Sequence, residues 1–282
     1  MKLLRFGGRN NESPGLLSDD GTIRDLSAHI RDVDGSTLAP SVLGRLRELE
    51  PSTLPIVPVG TRFGPPVAGV GKVVAVGLNY RDHAAEAGHP IPAEPILFMK
   101  ATSSICGPND DVIIPRNSFK TDYEAELGVV IGRQARYVDE ADALDYVAGY
   151  CVVNDVSERA FQSESTGQWT KGKSADTFCP FGPCLVTADE VPDPQALHVW
   201  LDVDGERRQD GSTSTMIFGV AHLVAYISQF MTLQPGDLIP TGTPPGVGLG
   251  MKPQLYLRPG NQVTLGIDGL GEIGQRFVAC DE

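Results

Sequence analysis

The chain has 282 residues, of which 41% are hydrophobic, enough for one large domain or for a large domain with a small companion. Its 36 acidic and 23 basic residues give a formal net charge of -13, and the sequence has no basic run, which argues against nucleic acid or anionic membrane surfaces as partners. The N-terminus lacks a signal-peptide core and no apolar run could span a bilayer, so we predict a cytoplasmic protein.

The number and spacing of the cysteines indicate whether they form disulfides, bind zinc or stay reduced. Its five cysteines form an odd set without CxxC spacing, so neither a disulfide framework nor a zinc cluster is indicated. We therefore expect reduced thiols that are mostly packed.

The first quarter of the chain predicts a small β-rich unit. Residues 2–6 alternate as a strand, and a hairpin is expected around residues 18–21. The proline-dense connection after Glu50 is too stiff for a helix and poor for a central strand. We place a domain boundary there, between a small N-terminal β-rich domain, 1–66, and a larger domain, 67–282.

A buried-type strand at 73–77 leads into a predicted helix that carries a histidine and a glutamate. Asn79 is expected to cap this helix and Gly88 to end it. His83 and Glu86 are three residues apart, so a helix places them on one face and the carboxylate can orient the imidazole. The residues alone leave open a solvated charge pair on a surface helix.

The tightest group of acidic residues lies on a predicted strand at 123–131. Glu124 and Glu126 are two residues apart and share one face of that strand, and a second apolar run, 147–153, places Asp155 at the end of a neighbouring strand. Three oxygen ligands without nearby Cys or His favour a hard cation, Mg²⁺, Mn²⁺ or Ca²⁺. The residues alone also allow both glutamates to face solvent.

A complete P-loop pattern, GxxxxGK[ST], is formed by Gly167, Gly172, Lys173 and Ser174. A phosphate cradle needs a buried strand before the first glycine and a helix that opens at the Lys-Ser pair. The preceding residues are polar and prolines follow closely, so we expect a flexible loop that presents Lys173 to a site. The segment 178–183 is also expected to be a loop.

The last third of the chain predicts a core helix and a loop rich in Gly and Pro. Ser214 is expected to cap the helix, whose apolar residues recur at helical spacing as far as Met231. The loop at 241–248 exposes backbone amides and permits close approach to a ligand, although a tight corner between strands would explain it equally well.

Five motifs, in this order along the chain, resemble the fumarylacetoacetate hydrolase family over about residues 70–280. The motifs are 79–86, 123–132, 154–159, 171–183 and 241–248. The resemblance implies a mainly β fold with α-helices, built as a mixed β-sandwich roll beside the small N-terminal domain. It also implies a divalent metal, usually Mg²⁺, and a homodimer.

The resemblance assigns roles to the residues that match the motifs. Glu124, Glu126 and Asp155 would be the metal ligands. His83 and Glu86 would form the pair that activates water, on a helix that closes over the substrate.

The remaining matched residues would hold the substrate. Arg159, Gln162 and Lys173 would line the pocket, and Thr243 would bind the substrate carboxylate. The implied reaction is hydrolysis of the C3–C4 bond of a 2,4-diketo acid, such as an acylpyruvate, to pyruvate and a carboxylic acid. His83 would take a proton from the attacking water, while the metal and Lys173 stabilise the pyruvate enolate. The expected partner is a small anionic 2-oxo acid.

Alternatives within the family stay open. The stretches 2–5, 14–17, 23–27 and 167–173 resemble the bacterial branch that includes 2,4-diketo-3-deoxy sugar-acid hydrolases. The same site could also serve an oxaloacetate decarboxylase or a 2-hydroxyhepta-2,4-diene-1,7-dioate-type isomerase, because each reaction passes through an enolate, and fold alone does not choose among them. Outside the family, the rivals are a P-loop nucleotide-binding protein and a non-catalytic metal-stabilised module.

Overall fold

The computed structural model describes residues 1–88, 90–164 and 166–280, and strands predominate over helices among them. The strands are β1 (Lys2–Gly8), β2 (Asn11–Leu17), β3 (Ile23–Asp25), β4 (Phe63–Gly64), β5 (Val73–Gly77), β6 (Ile96–Lys100), β7 (Ile105–Cys106), β8 (Val112–Ile114), β9 (Thr121–Asp122), β10 (Ala125–Ile131), β11 (Val147–Asn154), β12 (Ser157–Glu158), β13 (Cys179–Thr187), β14 (His198–Val203), β15 (Glu206–Ser212), β16 (Leu238–Pro240), β17 (Gln262–Ile267) and β18 (Gly271–Ala279). The α-helices are α1 (Pro40–Arg47), α2 (Arg81–Ala87), α3 (Arg159–Ser163), α4 (Thr170–Lys173) and α5 (Val220–Phe230). Short 3₁₀ segments lie at Pro51–Thr53, Thr102–Ser104, Glu140–Tyr146, Ala188–Glu190, Thr213–Thr215 and Gly248–Gly250.

The largest sheet has the strand order β3-β2-β1-β13-β11-β10-β16-β5-β6, with β4 paired to β1 and β7 to β13. Its central strands β10 and β11 are buried along their whole length. Apart from Glu126 and Asn154 at the ends next to the site, both strands are mostly apolar on both faces, because hydrophobic cores cover both faces of this sheet. A second sheet has the order β15-β14-β17-β18-β8, and β12 pairs with β9 in a short ribbon.

Two cores flank the central strands. On one face of β10, Leu127 packs in a cluster that includes Leu201 and Leu265 of the second sheet. On the other face, Val130 shares a cluster with Leu3 from the N-terminal strand. Alternate residues of one strand therefore serve opposite cores. The mainly β fold with α-helices, a mixed β-sandwich roll, is confirmed.

The N-terminal strands extend the large sheet. The first of them, β1, pairs antiparallel with β13, with Lys2 opposite Val186. The hairpin expected around residues 18–21 joins β2 to β3. The division of the chain into 1–66 and 67–282 stays a prediction, and the hydrogen bonds of the sheet cross it.

Two local predictions are wrong. Residues 178–183, expected as a loop, lie largely in β13, because β7 pairs with Cys179 and Pro180 and β11 pairs with Phe181 and Gly182, partners that the proline-containing segment alone does not suggest. Helix α5 begins at Val220, not near Ser214. The side chain of Ser212 caps the 3₁₀ turn Thr213–Thr215 instead, so the polar residues before the helix form a separate turn. Among the helices that the structure describes, none combines the length and apolar character needed to cross a bilayer.

Candidate active site

Two neighbouring strands bring three carboxylates together. Strands β10 and β11 pair antiparallel with Ala125 opposite Asn154, so Glu124 and Glu126 meet Asp155 at the end of the ladder. One oxygen from each carboxylate lies within 4.8 Å of the other two. The three residues are 6%, 1% and 0% exposed, which excludes the interpretation that the glutamates face solvent.

Two buried lysines hold this carboxylate cluster. Lys173 donates from Nζ to Glu124 Oε2 and to Asp155 Oδ2, both at 2.7 Å. Lys100 donates to Asp155 Oδ1 and, at 3.2 Å, to the carbonyl of Val156. Lys100 was not predicted as a site residue. A lysine that ends the apolar strand β6 is the signal that could have found it, because buried lysines are rare unless they are paired.

The P-loop pattern does not form a phosphate cradle. Gly172 and Lys173 lie in the single helical turn α4, which ends at Lys173. A cradle needs a helix that begins at the Lys-Ser pair, so that its first amides face the phosphates. The expected loop is a helical turn in the structure, and it directs Lys173 to the carboxylates, so this lysine does reach the site.

Arg159 connects the cluster to a further buried carboxylate. It donates from Nη1 to Glu124 Oε1 at 2.7 Å and from Nε to Asp122 Oδ2 at 2.8 Å. Nη1 also donates to Gln162 Oε1 at 3.1 Å, so the amide and the guanidinium of these two predicted pocket residues position each other. The guanidinium is therefore fixed by two carboxylates, Asp122 on β9 and Glu124 just before β10.

Asp122 is a site residue that the sequence did not reveal. It is completely buried and accepts the backbone amides of Gly248 at 2.7 Å and Leu249 at 3.0 Å, in addition to the guanidinium of Arg159. Both carboxylate oxygens therefore accept N–H groups. We call the segment 242–254, several residues of which line a cavity next to the carboxylates, the roof loop. Asp122 joins this roof loop to Arg159, which in turn contacts Glu124.

The roof loop also contacts Glu126. The amide of Gly242 donates to Glu126 Oε2 at 2.8 Å. Gly242 has a φ of 100°, and a Cβ there would lie 2.8 Å from the Cβ of Asn79, so the approach requires glycine. The hydroxyl of Thr243 donates to the carbonyl of Ala125 at 2.9 Å, so its hydrogen is engaged by the protein. The role of Thr243 toward a substrate carboxylate stays a prediction.

Helix α2 carries the predicted histidine–glutamate pair. It spans Arg81–Ala87 and ends at Gly88, whose φ of 69° gives the left-handed end expected from the sequence. His83 Nδ1 lies 3.0 Å from Glu86 Oε2, and Glu86 Oε1 accepts the amide of Gly246 at 3.0 Å. Since Nδ1 is engaged by the carboxylate, Nε2 of His83 is the nitrogen left to exchange a proton.

Asn79 does not cap α2, as the sequence suggested. Tyr80 occupies the N-cap position, without a side-chain hydrogen bond to the helix. The Asn79 amide instead donates to the carbonyls of Thr241 at 2.8 Å and Phe218 at 3.0 Å. Burial against these segments outweighs the local preference of Asn for a cap, and it ties the start of α2 to the start of the roof loop.

Eight of the nine predicted site residues line one cavity of about 820 Å³. They are His83, Glu86, Glu124, Glu126, Arg159, Gln162, Lys173 and Thr243. The ninth, Asp155, is fully buried and is held by the ammonium groups of Lys100 and Lys173. The structure therefore brings all nine together, around a space large enough for a small organic acid.

The surroundings of the carboxylate cluster shift the pKa values of its two glutamates in opposite directions. Burial, reinforced by the negative charges of Asp155 and Glu124, raises the pKa of Glu126 well above its ordinary value. Burial also acts on Glu124, but the positive charges of Lys173 and Arg159 outweigh it and lower the pKa of Glu124. A cation among these oxygens would relieve the repulsion that Glu126 experiences. An all-carboxylate donor set suits a hard divalent ion, so the residues fit the metal that the sequence predicted.

Comparison with known proteins gives a consistent result. Residues 72–278 match the family described as Fumarylacetoacetate (FAA) hydrolase C-terminal. A Burkholderia multivorans protein that carries the name "Putative hydrolase" is 63% identical over 273 residues, which cover 96% of this chain and 97% of that protein.

Solved structures extend the likeness to the whole fold. Maleylpyruvate hydrolase from Sphingobium sp. SYK-6, in complex with manganese(II) ion and pyruvate, is 29% identical with a TM-score of 0.84. The 5-carboxymethyl-2-hydroxymuconate delta-isomerase from Mycobacterium smegmatis is 32% identical with a TM-score of 0.80. Each comparison covers 100% of both chains. The chain therefore belongs to the fumarylacetoacetate hydrolase family.

Proposed function

We propose that this protein is a metal-dependent hydrolase that cleaves the C3–C4 bond of a 2,4-diketo acid, an acylpyruvate, to pyruvate and a carboxylic acid. The observation that carries the proposal is that the His83–Glu86 pair lines the same cavity as Glu124 and Glu126, two of the three clustered carboxylates. Hydrolytic cleavage of a C–C bond needs a base for water and a centre that stabilises the resulting enolate. The manganese and pyruvate complex of the maleylpyruvate hydrolase neighbour supports both the metal and the pyruvate product.

A divalent ion, Mg²⁺ in our proposal, would be held by Glu124, Glu126 and Asp155. When bound, it would polarise the 2-oxo group of the substrate and compensate the negative charge that develops during cleavage. Among the residues that the structure describes, the buried charged groups that form this cluster are four carboxylates and three cations. These are Glu124, Glu126, Asp155, Asp122, Lys100, Lys173 and Arg159. With all four carboxylates ionised, their formal charge is -1, so a divalent ion and a monoanionic 2-oxo acid together bring the site to neutrality.

The protein's own side chains would hold the anionic end of the substrate. Lys173 and Arg159 are buried cations on the cavity wall, and Gln162 lies against Arg159. Lys173 would donate to the oxygen that gains negative charge as C3–C4 breaks, because an ammonium group is worth more in a closed site than in water.

The pair on α2 would supply the proton chemistry. Glu86 holds His83 through Nδ1, so Nε2 takes a proton from water while the water oxygen forms a bond to C4. When C3–C4 breaks, its electron pair stays on C3 and gives the pyruvate enolate. The proton held by His83 then returns to C3, which leaves pyruvate and the carboxylic acid.

A second candidate follows from one of the structural neighbours. The delta-isomerase from Mycobacterium smegmatis shares the fold, and isomerisation of a 2-hydroxyhepta-2,4-diene-1,7-dioate-type substrate would need the same base and the same enolate stabilisation without water. Decarboxylation of oxaloacetate would also need only the enolate-stabilising end. Hydrolysis is preferred because His83 with its orienting carboxylate resembles a water-activating pair.

The experiment that separates these reactions follows an isotope. Turnover of acetylpyruvate in H₂¹⁸O should release pyruvate and place one ¹⁸O atom in the acetate, as measured by mass spectrometry. Isomerisation of a dienoate or loss of CO₂ from oxaloacetate, with no cleavage of acetylpyruvate, would contradict the proposal. The homodimer is proposed on the resemblance, and light scattering should then give about twice the 30.1 kDa of one chain.

A further inference from the structure

A closed set of three hydrogen bonds holds Ala125, the residue between the two clustered glutamates of β10. The amide of Ala125 donates to Oε1 of Gln209 at 2.9 Å, and the carbonyl of Ala125 accepts the hydroxyl of Thr243 at 2.9 Å. Nε2 of Gln209 donates to Oγ of Thr243 at 2.8 Å and so completes the set. We call these three residues the amide ring. All of them are buried, so the ring is shielded from bulk water.

The amide ring takes the place of a neighbouring strand. Strand β16 pairs with β10 from Gly128 to Val130 and ends at Pro240. Beyond this end of β16, the buried amide and carbonyl of Ala125 still need hydrogen-bond partners. Side chains from β15 and from the roof loop supply both partners, so the position of Ala125 depends on them.

The backbone fixes the direction of each hydrogen bond in the ring. The N–H of Ala125 can only donate, so the amide oxygen of Gln209 faces it and the NH₂ group of Gln209 faces the roof loop. That NH₂ group donates to Thr243 Oγ and to the carbonyl of Pro244, both at 2.8 Å. The single hydrogen of the Thr243 hydroxyl goes to the carbonyl of Ala125. Toward the cavity, this oxygen can therefore accept a hydrogen bond but has no hydrogen left to donate to a carboxylate.

The roof loop rests directly on the strand that carries Gln209. A Cβ on Gly246 would lie 1.9 Å from the carbonyl oxygen of Arg208, and a Cβ on Gly211 would lie 2.5 Å from Cβ of Pro244. Such close approach of two backbones requires glycine. Gln209 lies between Arg208 and Gly211 on β15, so these contacts hold it and the roof loop in one position.

On the basis of the proposed function, we propose that Gln209 and Thr243 are positioning residues for the metal site, and that the hydroxyl of Thr243 does not bind the substrate carboxylate. By fixing the backbone at Ala125, the amide ring sets how the carboxylates of Glu124 and Glu126 are placed for a metal ion. Groups that orient metal ligands change metal affinity by about tenfold to about 100-fold when they are removed. The ring is therefore expected to act on metal affinity, and on turnover only through the metal.

The test is a double-mutant cycle on the Kd for Mg²⁺, measured by calorimetry without substrate. Gln209→Met and Thr243→Val each open the ring, and each should raise this Kd by about tenfold. The double variant should also show a rise of about tenfold and not of about 100-fold, because the second substitution has no closed ring left to open. Thr243→Ser keeps the hydroxyl and should bind Mg²⁺ as the wild-type protein does. If Gln209→Met does not fold, Gln209→Asn replaces it, since the shorter amide stays polar but cannot reach both partners.

The matched control is a glutamine that bridges backbone groups elsewhere. Gln195 accepts the amide of Val220 at 2.7 Å and donates to the carbonyl of Thr213 at 3.1 Å, and it does not line the cavity. Gln195→Met should leave the Kd for Mg²⁺ unchanged. An equal rise in Gln195→Met and Gln209→Met would overturn the specific role of the amide ring.

Turnover at saturating Mg²⁺ separates positioning from substrate binding. The anionic end of the substrate is left to Lys173 and Arg159, so KM for acetylpyruvate should agree within about twofold between Thr243→Val and Gln209→Met. A wild-type Kd for Mg²⁺ in Thr243→Val, together with a KM raised by about tenfold or more, would overturn the proposal in favour of direct carboxylate binding. Additive losses of Mg²⁺ affinity in the double variant would overturn it as well. If acetylpyruvate is not cleaved, the hydrolase proposal fails, and the Mg²⁺ cycle alone decides the role of the amide ring.

Discussion

The two ends of the cavity are built in opposite ways. At one end, Glu124, Glu126 and Asp155 lie on or next to paired central strands, and all three are buried. At the other end, His83 and Glu86 lie on a seven-residue helix, with side chains that are 14% and 24% exposed. The first end is fixed by a sheet that is covered on both faces, whereas the second rests on a short helix and on the contact of Glu86 with the roof loop.

The difference in burial fits a separate proposed task for each end of the cavity, metal binding at the sheet and proton transfer on α2. Metal ligands must be placed to a fraction of an ångström, and central strands provide that precision. A proton-transfer pair must approach only after the substrate has entered, and a short, partly exposed helix can shift at little cost in stability. We therefore expect variants at the sheet end to abolish metal binding, and variants on α2 to leave metal binding intact while they slow turnover.

The largest effect should come from Glu126. Glu126→Gln keeps the shape of the side chain but removes a proposed metal ligand, so pyruvate release should fall by at least about 10⁴-fold because the whole contribution of the metal is lost. The rise in Tm that Mg²⁺ gives the wild-type protein should also disappear, as measured by calorimetry. Glu140→Gln, an exposed glutamate outside the cavity, should change neither quantity. A Glu126→Gln variant that still gains stability with Mg²⁺ would contradict this assignment.

The second-largest loss of activity should come from a substitution on α2. His83→Ala removes the proposed proton acceptor and should reduce kcat by about 10³-fold, within the range for a positioned acid or base. The Mg²⁺-dependent rise in Tm should stay at the wild-type value. His222→Ala is a matched control. His222 lies on α5, outside the cavity, and its Nδ1 is 2.9 Å from Oε2 of Glu140, so it also forms a histidine–glutamate pair. Loss of Mg²⁺ binding in His83→Ala would show that metal binding at the sheet end depends on α2, which contradicts the proposed separation of the two tasks.

Asp122 tests the connection between the two ends. Its oxygens accept the amides of Gly248 and Leu249 and the guanidinium of Arg159, so no orientation of an asparagine amide satisfies all of these donors. Asp122→Asn should therefore lower kcat/KM by about tenfold through displacement of Arg159 and the roof loop.

The control for Asp122 is another buried aspartate. Asp237 accepts the amides of Lys72 and Gln234 and the ammonium group of Lys72, but it does not line the cavity. Asp237→Asn should lower the Tm and leave kcat/KM unchanged at a temperature where the variant is folded. Equal losses of activity in both variants would reduce the role of Asp122 to stability alone.

The smallest predicted effect is on the free energy of unfolding, and it concerns a histidine–carboxylate pair outside the cavity. His198 contacts Asp210 at 2.6 Å and Asp268 at 3.6 Å, and the hydrogen bond with Asp210 raises the pKa of His198 above 6.5. A raised pKa in the folded state stabilises the protein fully below the unfolded-state pKa, and this stabilisation is lost as the pH rises through the folded-state pKa. His198→Gln should therefore cost about 0.5 kcal/mol in urea unfolding at pH 5.5 and nothing at pH 9, since the pair is exposed and screened by solvent. The same cost at both pH values would contradict the pKa shift.

The sequence predicted the features of this site that local spacing determines. Glu124 and Glu126 are two residues apart, and His83 and Glu86 are three apart, so strand and helix periodicity suffice to place each pair on one face. The resemblance then supplied Arg159 and Gln162. The structure brings all of these residues to one cavity, although their chemical roles stay proposals.

The sequence did not predict the features that depend on contacts between distant parts of the chain. Lys100 became visible as a site residue only when its contact with Asp155, 55 residues away, was known. Asp122 holds a loop that lies more than 120 residues further along the chain. Asn79 has a strong local preference for a helix cap, but buried contacts with Phe218 and Thr241 outweigh it. Local propensity gives no information about such pairings, because tertiary contacts decide them.

The measurement that tests the account most directly is pyruvate release from acetylpyruvate by the wild-type protein, followed with Mg²⁺, with EDTA, and with Mg²⁺ restored. We predict that release requires Mg²⁺, stops when EDTA removes it and resumes when Mg²⁺ is added back. Release that is unaffected by EDTA, or an absence of pyruvate under all three conditions, would contradict metal-dependent cleavage of an acylpyruvate at this site.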